Sequence, residues 1–248
     1  MSRGVADIAP ARLALLNQGT VASATLTEGL AIDFAQLLAA AVPAIGAARL
    51  ERMRAQAAAG ITGRMALAAQ LLLEADADLA LLQAHPSDTV RGWACFAIAD
   101  QPGLTLPQQL AALRPLADDG HFGVREWAWL ALRPRLAAHL LEAIALLAPW
   151  TADPSERVRR FACEALRPRG VWCAHIARLK AEPQLALPLL QPLRADPAVY
   201  VQDSVANWLN DAAKSQPDWV RSLCTQWLQE SPVAATARIC KRAQRSLP

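Results

Sequence analysis

Three acidic residues, Glu126, Glu164 and Asp203, recur on one face of a repeated pattern, the first and third two residues and the second six residues past the repeat's anchor. Arg125, Arg159, Arg160 and Arg167 stand among them, Arg169 lies just beyond, and Trp129 and Trp172 add two aromatic planes. These side-chain types together suit work on a phosphate polymer. An arginine fork pairs with phosphate oxygens, an indole covers a base or sugar face, and a carboxylate meets a positive charge that develops in a reaction. The plainer alternative is that Glu126 and Glu164 pair with arginines on the same helix face.

The elements that would position these residues are repeats. Four segments align on Val90, Val124, Val158 and Val201, at spacings of 34, 34 and 43 residues. That period holds a helix, a turn and a returning helix, as in HEAT-type solenoids. With the anchor valine as position i, position i+4 is Ala94, Ala128, Ala162 and Val205, and i+7 is Ala97, Ala131, Ala165 and Trp208. Position i+8 is Ile98, Leu132, Leu166 and Leu209, which completes one apolar helical stripe. The stripe is expected to pack inward, with its small residues letting neighbouring helices approach. Trp93, Trp127 and Trp208 fall on or beside it, and Trp150, Trp219 and Trp227 read as packing residues too. Positions i+1, i+2, i+5, i+6 and i+9 form the opposite face, the expected inner surface of the array. The acids and arginines named above occupy that face.

Asp153-Pro154 and Asp196-Pro197 place a capping acid and a first-turn proline ahead of two of these helices. Returning helices are expected at 106–116, 136–147 and 185–193. Upstream, 27–42, 45–58 and 61–74 read as helices, with 78–84 following. Downstream, 217–229 and 232–245 read as a closing pair. The expected fold is all-α: a HEAT-like helical repeat solenoid with a concave DNA-binding face. It forms one domain over 1–248, with capping helices at about 10–80, aligned repeats at about 85–215 and closing helices at about 216–248.

Composition agrees. Of the 248 residues 54% are apolar, Ala and Leu dominate, and β-branched residues and Gly are sparse, which favours helices over strands. Net charge is −3 over residues 1–120, +3 over 121–215 and +3 over 216–248, so basicity lies in the second half and is nearly all arginine. Five cysteines (Cys95, Cys163, Cys173, Cys224, Cys240) without a CxxC pair argue against a disulfide framework or zinc site and for a reducing compartment. Four scattered histidines add no ligand spacing, so neither metal nor cofactor is expected. Residues 1–10 lack the apolar run of a leader. Asp33, Gln36 and Pro43 interrupt the apolar stretch 31–45, so no membrane span is expected.

The run DPSERVRRFACEALRPRGVWCAHI (153–176), the later LPLLQPLRADPAVYVQDSVANWLNDAAKSQPDWV (187–220) and the early LNQGTVASATLTEGLAIDFAQLL (16–38) resemble the AlkC branch of the AlkC/AlkD DNA glycosylases. The likeness covers about residues 10–246. It implies HEAT-like repeats and excision of cationic alkylated bases, such as N3-methyladenine, by cleavage of the N-glycosidic bond, without a metal. The AlkC branch is also associated with N3-methylcytosine. By resemblance, Glu126 and Glu164 match acidic positions facing the lesion, Trp172 matches an aromatic beside it, and Arg159 and Arg160 match a DNA-facing basic pair. Asp203 and Trp208 lie in the shared VQDSVANW helix, so resemblance sets Trp208 beside the lesion where periodicity buries it. Leu130 stands where the AlkD branch carries an acid, so the carboxylate geometry is branch-specific. Some AlkC relatives carry an added immunoglobulin-like domain, and contacts made by such a domain are not expected from these 248 residues. The expected partner is double-stranded DNA containing alkylated bases, met by a monomer in the cytoplasm. The rival reading is a non-catalytic helical-repeat module that binds DNA or protein.

Overall fold

The computed structural model describes residues 4–247 and is all-α: no strand occurs among the described residues. Residues 1–3, the start of the segment read as lacking a leader, and Pro248 lie outside the described residues. The helices run α1 Pro10–Asn17, α2 Leu26–Ala31, α3 Phe34–Ala41, α4 Ala47–Ala55, α5 Ile61–Glu74, α6 Leu79–Gln83, α7 Asp88–Asp100 and α8 Leu106–Ala117. They continue as α9 Phe122–Ala138, α10 Leu140–Leu147, α11 Glu156–Glu164, α12 Ala177–Ala181, α13 Leu187–Leu190, α14 Val199–Ala213, α15 Pro217–Glu230 and α16 Ala234–Ala243. Two compact units divide the chain, one through Ala131 and one from Leu132, with the boundary inside α9.

The apolar stripe is the core, as its period requires. Val90, Ala94, Val124, Ala128, Val158, Ala162, Val201 and Val205 are all fully buried. In the first unit α7 packs against α5 and α8, and in the second α14 packs against both α11 and α16. Close approach has a sequence cause at Gly92, where a Cβ would stand 2.6 Å from Trp127 Cδ1 and 2.7 Å from Met65 Cε.

Several expected helices are shorter or broken, each for a local reason. The segment 27–42 splits because the Asp33 carboxylate accepts from the Ala35 and Gln36 N–H groups and starts a new helix there. Gly46, at φ 83°, delays the next helix to Ala47. α9 runs on through Pro134 to Ala138, so the returning helix begins only at Leu140. Prolines at 183 and 188 reduce the expected helix at 185–193 to a 3-10 turn, Pro183–Ala186, followed by the single turn of α13.

The repeat is also built from polar groups. Five residues before each anchor, a side chain accepts from the backbone N–H two residues on. His85 Nδ1 takes Ser87, Asp119 takes His121, Asp153 takes Ser155 and Asp196 takes Ala198, at 2.6–3.1 Å. The residue after each anchor ties back to that turn. Arg91 Nη1 donates to the carbonyls of His85 and Pro86, Arg125 to Asp119 and Gly120, and Arg159 to Asp153 and Pro154. Gln202 does the same with Asp196 and Pro197. Two of the arginines then reach the next repeat. Arg91 grips both oxygens of Asp119, and Arg159 both oxygens of Asp196.

Arg125 and Arg159 therefore spend donors on turns of the fold. Sequence periodicity placed them on a free face for phosphate; the structure corrects that, because position i+1 abuts the turn that opens its own repeat. The Arg159–Asp196 pair has side chains only 14% and 4% exposed. Replacing Arg159 with Ala leaves Asp196 buried without its cation, which should cost about 3 kcal/mol. A thermal melt should fall by about 6–12 °C, and an unchanged midpoint would show that the pair does not hold the repeats together.

α16 was read from the sequence as half of a closing pair, and the structure makes it a fifth repeat helix. Thr236, Ile239, Cys240 and Ala243 are buried in the i, i+3, i+4, i+7 pattern. Thr236 lies 35 residues after Val201, and Ser231-Pro232 stands where Asp196-Pro197 stands one repeat earlier. A polar threonine at the anchor hid this repeat from a search for valine. No helix among the described residues is long and apolar enough to cross a membrane.

Candidate nucleic-acid interface and carboxylate site

In the first unit, Glu126 sits on α9 half-buried, and Trp129, one helical turn on, donates its indole N–H to Glu126 Oε2 at 2.8 Å. The i, i+3 spacing makes this bond possible, and a Trp that is only 5% exposed fixes the carboxylate's orientation. Trp129 thus serves Glu126 with its edge, and most of its ring lies in the core. Leu130, on the face expected to be open, is 7% exposed.

In the second unit, Glu164 ends α11 and is 4% exposed. Its Oε1 accepts from Arg167 at 2.7 Å and its Oε2 from the Ser204 hydroxyl at 2.5 Å, with Arg160 3.7 Å away. Burial alone would raise this carboxyl, but the Arg160 and Arg167 charges and the two hydrogen bonds outweigh it and hold the group below the usual carboxylate range. Arg160 also lies over the Tyr200 ring, 4.5 Å from its centroid. Arg167 continues to Asp211, donating from Nε and Nη2 at 3.0 and 2.8 Å. Arg169 is tied to the Asp211 carbonyl and the Ser215 hydroxyl. Glu164, Arg167 and Asp211 thus form one chain of charge, with Arg160 against Glu164 and Lys214 3.6 Å from Asp211.

Asp203 does not join it. On α14 it points to α16, where Arg238 and Arg242 reach it at 2.6 and 3.1 Å. The carboxylate that meets Glu164's network is Asp211, which the sequence reading missed. Its signal was the last residue of the NWLND run, ten residues past the Val201 anchor and outside the window compared. Ser204 was missed because position i+3 carries an aromatic in the other three repeats. Trp208 is a correction to the resemblance. It is fully buried and donates to the Leu166 carbonyl at 3.0 Å, where no nucleobase can reach it.

Trp172 is placed differently. It stands 51% exposed in the loop after α11, at φ 59°, a left-handed backbone that costs a non-glycine residue about 1–2 kcal/mol. Arg133 holds this loop. Its buried guanidinium donates to the carbonyls of Ala165, Arg167 and Ala174. A Cβ at Gly170 would meet Cys173 Sγ at 2.4 Å and Arg133 Cζ at 3.2 Å. An exposed indole on a tethered, strained loop has the form of a ligand contact.

Among the described residues no group of three or more His, Cys, Asp or Glu is placed to hold a metal ion, and the five cysteines are unpaired.

Residues 75–167 match the model of the HEAT repeat family. The structure is similar to that of the Pseudomonas fluorescens alkylpurine DNA glycosylase AlkC bound to DNA containing an abasic site analog, with 32% identity and a TM-score of 0.70 over 86% of this chain. The chain is thus similar, over most of its own length, to a HEAT-like repeat protein, AlkC. It spans 61% of that AlkC chain. AlkD2 from Streptococcus mutans shares the fold at 20% identity and a TM-score of 0.57, over 80% of this chain and 88% of its own. YhaZ of Bacillus subtilis is 41% identical over 76 residues, which are 31% of this chain and 21% of the relative. This likeness agrees with the all-α repeats read from the sequence. Within that frame Glu126 carries an indole partner, and Glu164 and Asp211 share an arginine.

Proposed function

We propose that this chain is a DNA glycosylase that removes cationic N-alkylated bases, N3-methyladenine and N3-methylcytosine among them, from double-stranded DNA. The observation that carries this reading is the likeness, over 86% of the chain, to an alkylpurine DNA glycosylase bound to DNA with an abasic-site analog. The oriented carboxylate of Glu126 and the ionised one of Glu164 support it.

A base alkylated on a ring nitrogen already carries positive charge, so it leaves without being protonated. As the N-glycosidic bond breaks, its electron pair goes to the base, which departs neutral. The positive charge passes to the sugar, and water adds at the anomeric carbon and releases a proton. The protein's task is to stabilise that charge and to admit the water. Glu164 or Glu126 takes the electrostatic role, Trp172 offers a π face to the cationic base or sugar, and Arg160 and Arg169 belong to the phosphate-facing set. The protein acts as a monomer on DNA in the cytoplasm.

The test is a lesion panel. Duplexes carrying single methylated bases are incubated with the wild-type protein, and released bases are read by mass. Free N3-methyladenine or N3-methylcytosine with matching abasic sites is the expected result. Tight binding to every duplex without base release would instead make the chain a non-catalytic DNA-binding module.

A further inference from the structure

α16 carries chemistry that the proposed reaction does not use. As the fifth repeat helix, its positions i+2, i+5, i+6 and i+9 are Arg238, Lys241, Arg242 and Arg245. All four are cationic, and no earlier repeat shows this. Lys241, Arg242 and Arg245 are exposed, and Arg238 is half-buried. Asp203 is the carboxylate that meets this face, held by Arg238 and Arg242. Arg245 reaches Asn207, one turn further along α14. At 1.5 Å of rise per residue Arg238, Lys241 and Arg242 span about 6 Å of helix, and Arg245 follows in the turn two residues past its end. The remaining face position, i+1, is Ala237, so this face of the helix carries no aromatic residue of the kind a protein interface uses as an anchor.

We infer that the α16 face is a docking surface for the phosphodiester backbone of duplex DNA, and that Asp203 is its built-in counter-charge and not part of the excision site. The inference rests on the reading of the chain as a DNA-binding protein. A row of guanidinium and ammonium groups with no aromatic residue among them matches a row of phosphates, which offers charge and hydrogen-bond acceptors and little apolar area. Asp203 keeps two of the guanidiniums extended and aligned on the helix while no phosphate is present. Phosphates then compete with one carboxylate for two arginines, so the face is open to exchange.

The experiment measures binding to an undamaged duplex between 50 and 200 mM salt, so that excision does not enter. Each phosphate contact contributes about 0.9 to the slope of log affinity against log salt. The Lys241→Ala/Arg245→Ala double variant removes two exposed cations and should flatten the slope by about 1.8. The salt-induced loss of affinity across that range then shrinks on the order of tenfold relative to wild type. Asp203→Asn should tighten binding at 50 mM salt by about threefold, the scale of a half-exposed ion pair. Thermal melts confirm that each variant is folded. An unchanged slope in the double variant, or weaker binding by a folded Asp203→Asn protein, overturns the inference and leaves the glycosylase reading standing. A wild-type protein that binds no duplex in 50 mM salt overturns both. Polyglutamate competing as well as DNA at equal charge would assign the face to an acidic protein and overturn the inference alone.

Discussion

Glu126→Gln should bind duplex DNA carrying a methylated base as the wild type does and release that base on the order of a thousandfold more slowly. The substitution keeps the shape of the side chain and an amide oxygen that can accept the Trp129 indole N–H, now 2.8 Å from Oε2. What it removes is the negative charge. A carboxylate about 4 Å from a developing unit charge contributes roughly 4 kcal/mol at an effective dielectric of 20. That corresponds to about a thousandfold in rate. Because the charge on the sugar exists only in the transition state, the loss falls on turnover and not on binding. Single-turnover release of N3-methyladenine, measured beside a binding isotherm on the same duplex, separates the two. Full-rate release by Glu126→Gln would remove Glu126 from the reaction. Trp129→Phe is the companion. It keeps the aromatic body and loses the N–H, so it should slow release by a smaller factor, since the carboxylate stays charged but loses its orientation.

Periodicity read from the sequence located the repeats and their buried stripe because both follow from helix geometry. A valine at i with small residues at i+4 and i+7 leaves one way to pack. The opposite face was harder to read. The sequence assigned it to an open inner surface, yet Trp129, Leu130, Cys163 and Glu164 are buried there. In a stack each repeat helix has a neighbour on either side, so only a narrow strip of its circumference stays open. A charge at i+1 then abuts its own turn, which is why Arg125 and Arg159 fasten the fold. Distant pairings were illegible for a different reason. Asp203 and Ser204 are adjacent in sequence, but the 100° step between helical residues sends one to Arg238 on α16 and the other to Glu164 on α11. No spacing rule within one helix reveals which neighbouring helix each will meet. The exposed Trp172 was singled out correctly as standing off the core, since it follows the helix end in a Pro-Arg-Gly turn. Its strained backbone and the arginine that braces it are tertiary facts.

Glu164→Gln should both slow excision by at least 100-fold and lower stability by about 3 kcal/mol, and the two losses differ in their dependence on pH. The carboxylate is buried between Arg160 and Arg167, and its removal leaves those guanidiniums with less negative charge than their burial requires. Asp211 still pairs with Arg167, which keeps the protein folded. Glu164's folded carboxyl titrates below its ordinary value, so the sign is fixed. Its contribution is complete above the unfolded glutamate value of about 4.3, and it disappears as pH falls through the lower folded value. Wild-type and Glu164→Gln melting temperatures should therefore differ by about 6–12 °C at neutral pH and converge in acid. A gap that persists unchanged to the lowest pH at which both proteins fold would mean that shape, not charge, explains the loss. Convergence in stability together with slow excision at neutral pH would mean that one ionised group both holds α11 against α14 and supplies the field in which the base departs. Such a group cannot be moved without loosening the repeat contact beneath it, which ties the position of the chemistry to the packing of the helices.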